Sequence, residues 1–281
     1  MATLERRGQP TLHYEIDDFT DPWRDAPFLI LQHGYGRSGR FWYGWVPYLS
    51  RFYRVVRPDL RGLGQSDVPA DLDRDVTVER YIEDLVAIID ALGGGPVHYC
   101  GESLGGILGM VLAATHPDEL RTLSLVAAPV LINTDTQKTF AFGHPSWQDA
   151  LRAMGSRGWA EAANSATRFP AGTDPALQRW YADEMGRSRV EVLIRMSRIA
   201  SSVDATPYLA RIRTPVLGLY PAQAPVTIQT QEQALRQAIK DLTIVHVPSR
   251  FHTIQNLMPA ALARQVLYFA AQHDGVACDE P

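Results

Sequence analysis

Apolar runs of strand length alternate along this chain with longer segments of helical period, and this alternation limits the folds available to it. Short, mostly apolar runs are candidates for buried strands. They are Phe28–Gln32, Tyr53–Arg57, Val97–Cys100, Leu123–Ala127, Pro215–Tyr220 and Leu242–Val247. Amphipathic segments such as Thr77–Leu92, with Thr77 as the N-cap, lie between them. The alternation predicts an α/β fold with a mostly parallel sheet and helices on both faces.

The alternation stops after Pro129, and strand candidates are missing until about residue 210. Aromatic residues such as Trp147 lie there among helical stretches, which are broken at Gly155, Pro170 and Gly186. We therefore expect residues 130–209 to form a helical cap inserted into a core built from residues 1–129 and 210–281.

Composition and charge exclude several classes of protein. The 281 residues carry a formal net charge of −4, and the basic residues form no stripe of the kind that binds nucleic acid. Apolar stretches are too short to span a membrane, and residues 1–10 do not resemble a signal peptide. The two cysteines, Cys100 in an apolar strand and Cys278 in a polar tail, predict no structural disulfide. A cytoplasmic protein without nucleic-acid or membrane partners is expected, and a homodimer is compatible with the sequence.

The most informative motif is Gly-Glu-Ser-Leu-Gly at residues 101–105, placed between a buried strand and a helix. A sharp turn from strand to helix strains the backbone at Ser103, and side chains at positions 101 and 105 would collide with the neighbouring strand and helix. The turn raises the Ser103 hydroxyl above the sheet and places the Leu104 amide at a helix N-terminus. This geometry is typical of a serine nucleophile.

Two further motifs make the resemblance specific. His33-Gly34-Tyr35-Gly36 follows the first buried strand, and residues 58–66 read Pro-Asp-Leu-Arg-Gly-Leu-Gly-Gln-Ser. In this order the chain resembles the α/β-hydrolase superfamily from about Phe28 to Phe269, apart from the cap. The resemblance implies a serine hydrolase with the backbone amides of Tyr35 and Leu104 as the oxyanion hole, and a structural role for the 58–66 turn.

A protonated serine needs an adjacent base to become a nucleophile. Of the eight histidines, His252 follows the last predicted strand and precedes the last helix, where the family places its catalytic histidine. The order of serine and then histidine along the chain also agrees with that fold. The prediction is that Ser103 attacks and His252 accepts its proton.

The usual third member of the triad is missing from both of its expected positions. Ala224 lies where the family has a carboxylate after the strand before the last, and Ala127 and Ala128 occupy the alternative position. Asp135 and Glu232 are the nearest acids in sequence, but solvated surface charge explains both more simply. A Ser-His dyad oriented by a backbone carbonyl, Gln223 or water keeps much of the chemistry. Loss of hydrolysis with retained ligand binding is the third explanation.

Substrate clues are weaker. Arg37, Arg40 or Arg250 could pair with a substrate carboxylate, while Trp42 and cap aromatics such as Trp147 could line an apolar pocket. Similarity to enol-lactonases, ring-cleavage-product hydrolases and carboxylesterases suggests a small ester, lactone or amide, or cleavage of a C–C bond. No metal or cofactor is implied. A non-hydrolytic receptor and a cofactor-free lyase or oxygenase are the alternatives.

Overall fold

The strand candidates form one sheet in the computed structural model, which describes residues 2–223, 226 and 229–278. The strands are β1 (Ala2–Leu4), β2 (Leu12–Asp17), β3 (Phe28–Gln32), β4 (Arg54–Pro58), β5 (Val97–Glu102), β6 (Leu120–Val126), β7 (Val216–Pro221) and β8 (Leu242–Val247). Their order across the sheet is β1-β2-β4-β3-β5-β6-β7-β8. Strands β3 to β8 run parallel to one another, so the predicted α/β class is confirmed.

Helices connect the parallel strands. They are α1 (Val46–Leu49), α2 (Leu72–Asp75), α3 (Val78–Ala91), α4 (Leu104–Thr115), α5 (Thr134–Ala141), α6 (Trp147–Ala163), α7 (Pro175–Gly186), α8 (Val190–Ser202), α9 (Thr206–Leu209), α10 (Gln229–Ala238), α11 (Ile254–Leu257) and α12 (Pro259–Asp274). Thr77 caps α3, as predicted, by accepting a hydrogen bond from the Arg80 amide at 3.2 Å. Within the described residues, no helix is both long and apolar enough to cross a membrane.

The N-terminal hairpin of β1 and β2 was not predicted. Strand β2 pairs antiparallel with β4 and places Glu15 opposite Arg57. Arg57 binds both Glu15 and Asp17, and its Nε atom lies 2.6 Å from the Asp17 carboxylate. A search for apolar runs misses β2 because the strand contains charged residues. Their partner, Arg57, lies on the neighbouring strand β4.

Side chains alternate between the two faces of the parallel strands, as a buried sheet requires. On β3, Ile30 points to the face covered by α3 and α4, whereas Leu29 and Leu31 point to the face covered by α1 and α12. On β7, Tyr220 and Leu219 divide in the same way. The sheet is therefore the middle layer of three. Neither helical layer covers the carboxyl ends of its strands, where α/β proteins usually place their sites.

The turn after β4 fixes the loop that follows β3. The Asp59 carboxylate accepts hydrogen bonds from the amides of Gly39 at 2.7 Å and Gln65 at 2.9 Å. Gly64 has φ +56°, and a Cβ there would lie 2.3 Å from Asp59. The His33 ring accepts the Leu60 amide at 3.1 Å, and burial lowers the pKa of His33 to about 4. This network keeps His33 neutral and binds the two loops to each other.

Residues 130–209, all of them described, contain α5 to α9 and no strand beyond the single bridge of Leu131 with Asp204. The helices pack over the carboxyl edge of the sheet. The Tyr35 hydroxyl donates to the Leu193 carbonyl at 2.8 Å, and Arg40 pairs with Glu184 at 2.8 Å. We call residues 130–209 the cap region below; the division of the chain into core and cap at these positions stays a prediction.

The turn at residues 101–105 leaves no room for side chains at its two glycines. A Cβ on Gly105 would lie 2.6 Å from the carbonyl oxygens of Gln32 and His33, and one on Gly101 would lie 2.4 Å from the Gly105 carbonyl. Both neighbours are backbone atoms, which cannot rotate away. The turn therefore depends on these glycines for steric reasons.

We predict that Gly105→Ala lowers the free energy of unfolding by about 1–3 kcal/mol, since the methyl group must displace the end of β3. The matched control is Gly158→Ala in helix α6, where the nearest atom to the new Cβ is Met154 Cβ at 3.5 Å. That exchange should leave stability unchanged or raise it by about 0.5–1 kcal/mol. Urea unfolding gives the free energy of unfolding of both variants and of the wild type. Equal changes in the two variants would contradict the steric account.

Candidate active site

Ser103 lies at the tip of the turn between β5 and α4 with φ 53° and ψ −120°, a strained conformation for a residue other than glycine. Its amide donates to the Val126 carbonyl at 3.1 Å, and its carbonyl accepts from Gly106 at 2.9 Å. The backbone on either side of Ser103 is thus fixed by neighbouring elements. Such fixation is needed to keep a strained residue in place.

His252 reaches Ser103 from the loop between β8 and α11. Its Nε2 atom lies 3.0 Å from Ser103 Oγ, and both side chains are buried. The cap region fastens this loop at two points: the His252 amide donates to the Thr167 carbonyl at 2.9 Å, and the Thr253 hydroxyl donates to the Arg168 carbonyl. Core and cap together therefore determine where the imidazole points.

The environment of His252 favours a neutral ring. Burial, followed by the positive charges of Arg37 and Arg168, holds its pKa well below the usual 6.5. A neutral imidazole with its proton on Nδ1 presents the lone pair of Nε2 to the Ser103 hydroxyl, and this tautomer is inferred from the hydrogen bond. The ring can then accept a proton from Ser103.

The two predicted oxyanion donors lie beside Ser103. Leu104 is the first residue of α4, so its amide has no acceptor within the helix. A Cβ on Gly34 would lie 3.0 Å from the Cβ of Ser103, which brings the 33–36 loop directly against the nucleophile. The Tyr35 hydroxyl donates to the Leu193 carbonyl in the cap region, so the oxyanion role predicted for Tyr35 rests on its backbone amide and stays a prediction.

Glu102 is a site residue that the sequence reasoning missed. Its carboxylate is buried, with Oε1 3.5 Å from His252 Nε2 and Oε2 accepting from the Arg37 guanidinium. Oε1 makes no hydrogen bond to the described residues. Glu102 therefore approaches the same ring nitrogen that faces Ser103, unlike the acid of a usual triad. The signal was an acidic residue in the variable position of the Gly-x-Ser-x-Gly motif.

The predicted acid positions supply no carboxylate to the ring. Ala224 lies outside the described residues, and Ala127 and Ala128 are buried at the end of β6. Asp135 pairs with Lys138 on an exposed face, and Glu232 pairs with His246 and Arg236. In the part of the chain that the structure describes, Glu102 alone among Asp and Glu side chains lies within 4 Å of His252.

The predicted substrate-contacting residues are placed differently from one another. Arg37 is buried in its ion pair with Glu102, so its charge is already neutralised. Trp42 is buried against Trp45 on the sheet face that α1 and α12 cover, and this position argues against a contact with substrate. Trp147 packs on Tyr35, with ring centroids 4.7 Å apart, and so lies near the oxyanion loop as predicted.

The other two arginines considered for a substrate carboxylate lie at the surface. Arg40 is partly exposed in its pair with Glu184, and Arg250 is exposed beside the ring of Phe251. In the described ranges, no three His, Cys, Asp or Glu side chains cluster in a way that could hold a metal ion.

Comparison with known proteins agrees with this architecture. The family model described as the alpha/beta hydrolase fold matches residues 27–180. A protein of Pseudomonas savastanoi named "Putative carbamate hydrolase RutD" is 27% identical over 265 residues, covering 87% of this chain and 94% of that protein. Strigolactone esterase D14 of Arabidopsis thaliana is 25% identical, covering 84% and 89%. The enol-lactonase of Burkholderia xenovorans LB400 superposes with a TM-score of 0.83 at 24% identity, covering 95% and 99%, which shows the fold alone.

We predict that the His252 ring remains neutral well below pH 6.5, because its burial and two neighbouring cations disfavour the imidazolium. As pH falls below about 6.5, His252 becomes protonated in the unfolded chain but stays neutral in the folded one. The free energy of unfolding therefore falls in acid on account of this histidine. The protonation state is measured by NMR from the ring-nitrogen chemical shifts of His252 as a function of pH, with the signals assigned by their loss in His252→Gln. The exposed His246 serves as the control, and an imidazolium at position 252 at pH 6 would contradict the account.

Proposed function

Because this chain belongs to the α/β-hydrolase fold family and is a hydrolase, we propose that it cleaves a small ester, lactone or amide through an acyl-enzyme on Ser103. The observation that carries the proposal is the 3.0 Å hydrogen bond between Ser103 Oγ and His252 Nε2 at the tip of a strained turn. The names of the compared proteins, a carbamate hydrolase, an esterase and an enol-lactonase, all describe cleavage at an acyl carbonyl.

Acylation begins as Ser103 Oγ bonds to the substrate carbonyl carbon while His252 Nε2 takes the hydroxyl proton. The oxyanion that forms accepts hydrogen bonds from the amides of Tyr35 and Leu104, which are fixed before the reaction starts. The intermediate collapses with loss of the alcohol or amine, which receives the proton from His252. Water then gives a proton to His252, attacks the acyl-enzyme and releases the acid, and the proton returns to Ser103.

Glu102 supplies the negative charge that this cycle needs at its imidazolium steps. When His252 carries a proton on Nε2, the free Oε1 of Glu102 is 3.5 Å away and faces it. The attraction is strong because both groups are buried. Arg37 holds the carboxylate in position through the other oxygen. A carboxylate beside Nε2 thereby stabilises the imidazolium, which is one of the two functions of a triad acid. It does not perform the other function, which is to fix the tautomer of the neutral ring.

We predict that a fluorophosphonate probe labels the protein stoichiometrically and that Ser103→Ala abolishes labelling. The same variant should lower kcat/KM for p-nitrophenyl acetate by on the order of 10⁴-fold or more, because the nucleophile is lost. Ser201→Ala, in the cap region, is the matched control and should behave as the wild type. Labelling that persists without the Ser103 hydroxyl sinks the proposal, and ester turnover that survives its loss points to a reaction that His252 runs without a covalent intermediate.

A second prediction concerns Glu102. Glu102→Gln should slow phosphonylation of Ser103 by the fluorophosphonate by about tenfold or more, since the imidazolium loses the one anion that lies close to it among the described residues and faces an unpaired Arg37. Glu83→Gln, which removes a carboxylate from an exposed pair with Arg80, is the control and should leave the rate unchanged. Equal rates in the two variants, with both folded by circular dichroism, would show that Glu102 has no electrostatic role.

A further inference from the structure

A buried arginine in the cap region has no acidic partner among the described residues. Arg168 is the last residue of the π-helical turn Asn164–Arg168 and is buried, with 3% relative exposure. Its guanidinium makes two contacts with the described residues, both from Nη1: the Asn164 amide oxygen at 3.4 Å and the Met185 sulfur at 3.1 Å. Nε and Nη2, which carry three of the five N–H donors, make no hydrogen bond to this part of the chain. Among the described residues, no carboxylate forms an ion pair with it.

Aromatic rings form the walls around this guanidinium. Its central carbon lies 5.3 Å from the ring centre of Trp159 and 5.1 Å from that of Tyr181. Ring faces stabilise a cation but leave the in-plane N–H groups free to donate. The rings therefore surround the Arg168 cation without satisfying its hydrogen bonds.

Arg168 lies in the same buried region as Arg37, the partner of Glu102, because the two guanidinium carbons are 5.1 and 5.6 Å from the centre of one ring, that of Tyr181. The backbone of Arg168 also contacts the loop of His252. Its carbonyl accepts from Thr253, the neighbour of His252, and the preceding carbonyl of Thr167 accepts from the His252 amide. Its positive charge is felt at His252, whose pKa it helps to lower. Burial and the nearby Arg37 lower the pKa of Arg168 itself to about 10, so it still carries its charge at neutral pH.

The charges in this space do not balance. Arg37 is neutralised by Glu102, and His252 is neutral, which leaves the cation of Arg168 without compensation. Burying an unpaired ion costs several kcal/mol, and removing water strengthens its attraction for an incoming anion. A site with one excess positive charge beside the nucleophile is therefore matched to a ligand with one negative charge.

We propose that Arg168 binds a carboxylate of the substrate, so that the enzyme acts on small acyl compounds that carry a free carboxylate on the acyl side. This inference rests on the proposed function, because it assigns the substrate class of the same site. A carboxylate fits the planar fork of a guanidinium through two parallel hydrogen bonds. Arg168 replaces Arg37, Arg40 and Arg250 as the candidate arginine for binding the substrate carboxylate. Arg37 is already paired with Glu102, and the other two lie at the surface.

The test compares two esters that differ in charge. The probes are p-nitrophenyl hemiglutarate, which carries a terminal carboxylate, and p-nitrophenyl valerate, which ends in a methyl group. The wild type should have the higher kcat/KM for the hemiglutarate. Arg168→Met should lower the ratio of kcat/KM for the hemiglutarate to kcat/KM for the valerate by on the order of 10- to 100-fold, the value of a charged hydrogen-bonded pair, because any change at His252 affects both esters and cancels in the ratio.

Two variants control the result. Arg179→Met removes an exposed arginine of the same cap region and should not alter the ratio of the two rates. Arg168→Lys keeps the charge but not the fork, and should retain part of the preference. If Arg168→Met does not fold, Arg168→Lys and the preference of the wild type still decide the question.

A wild type that prefers the valerate, or a ratio that Arg168→Met leaves unchanged, overturns this inference. Fluorophosphonate labelling of the same preparations separates that outcome from failure of the proposed function. Labelled Ser103 with no charge preference rejects the role of Arg168 alone, whereas an unlabelled wild type rejects the acyl-enzyme mechanism as well.

Discussion

The hydrogen bond between Ser103 and His252 joins residues 149 positions apart, and the arrangement of the site depends on it. The serine is fixed by a glycine-flanked turn that tolerates no side chain at its ends. The histidine is fixed by its backbone bond to Thr167 in the cap region. Each partner is thus placed by a different part of the chain. A small shift of the cap helices would move the imidazole away from the hydroxyl, which couples the packing of the cap to the chemistry.

Desolvation gives the site its electrostatic character. Burial keeps His252 neutral and able to accept a proton, and the two nearby arginines act in the same direction. In the proposed reaction the same burial disfavours the imidazolium, so a negative charge must lie close to it. The proposal assigns that charge to Glu102, which lies on the Nε2 side and is held by its contact with Arg37. An acid at a position that usually serves as a spacer is therefore consistent with a chain that has alanine at both usual places.

The sequence predicted the parts of this molecule that local pattern encodes. Apolar runs located strands β3 to β8, and steric demands at Gly101 and Gly105 located the turn of Ser103. The ion pair of Arg37 with Glu102 was not predictable in the same way, because its partners are 65 residues apart and neither belongs to a periodic pattern. Arg168 was missed because nothing in sequence distinguishes an arginine that folding buries. The charged strand β2 was missed because its partner, Arg57, lies on another strand.

The central claim is that Ser103 carries the acyl group during turnover. Rapid acid quenching of the wild type with p-nitrophenyl acetate, followed by mass spectrometry of the proteolytic peptides, tests it directly. The account requires an acetyl group on Ser103 in the wild type quenched within the first turnover, and none at that position in Ser103→Ala. Release of p-nitrophenol without any acetylated peptide, or an acetyl group on another side chain, would contradict it.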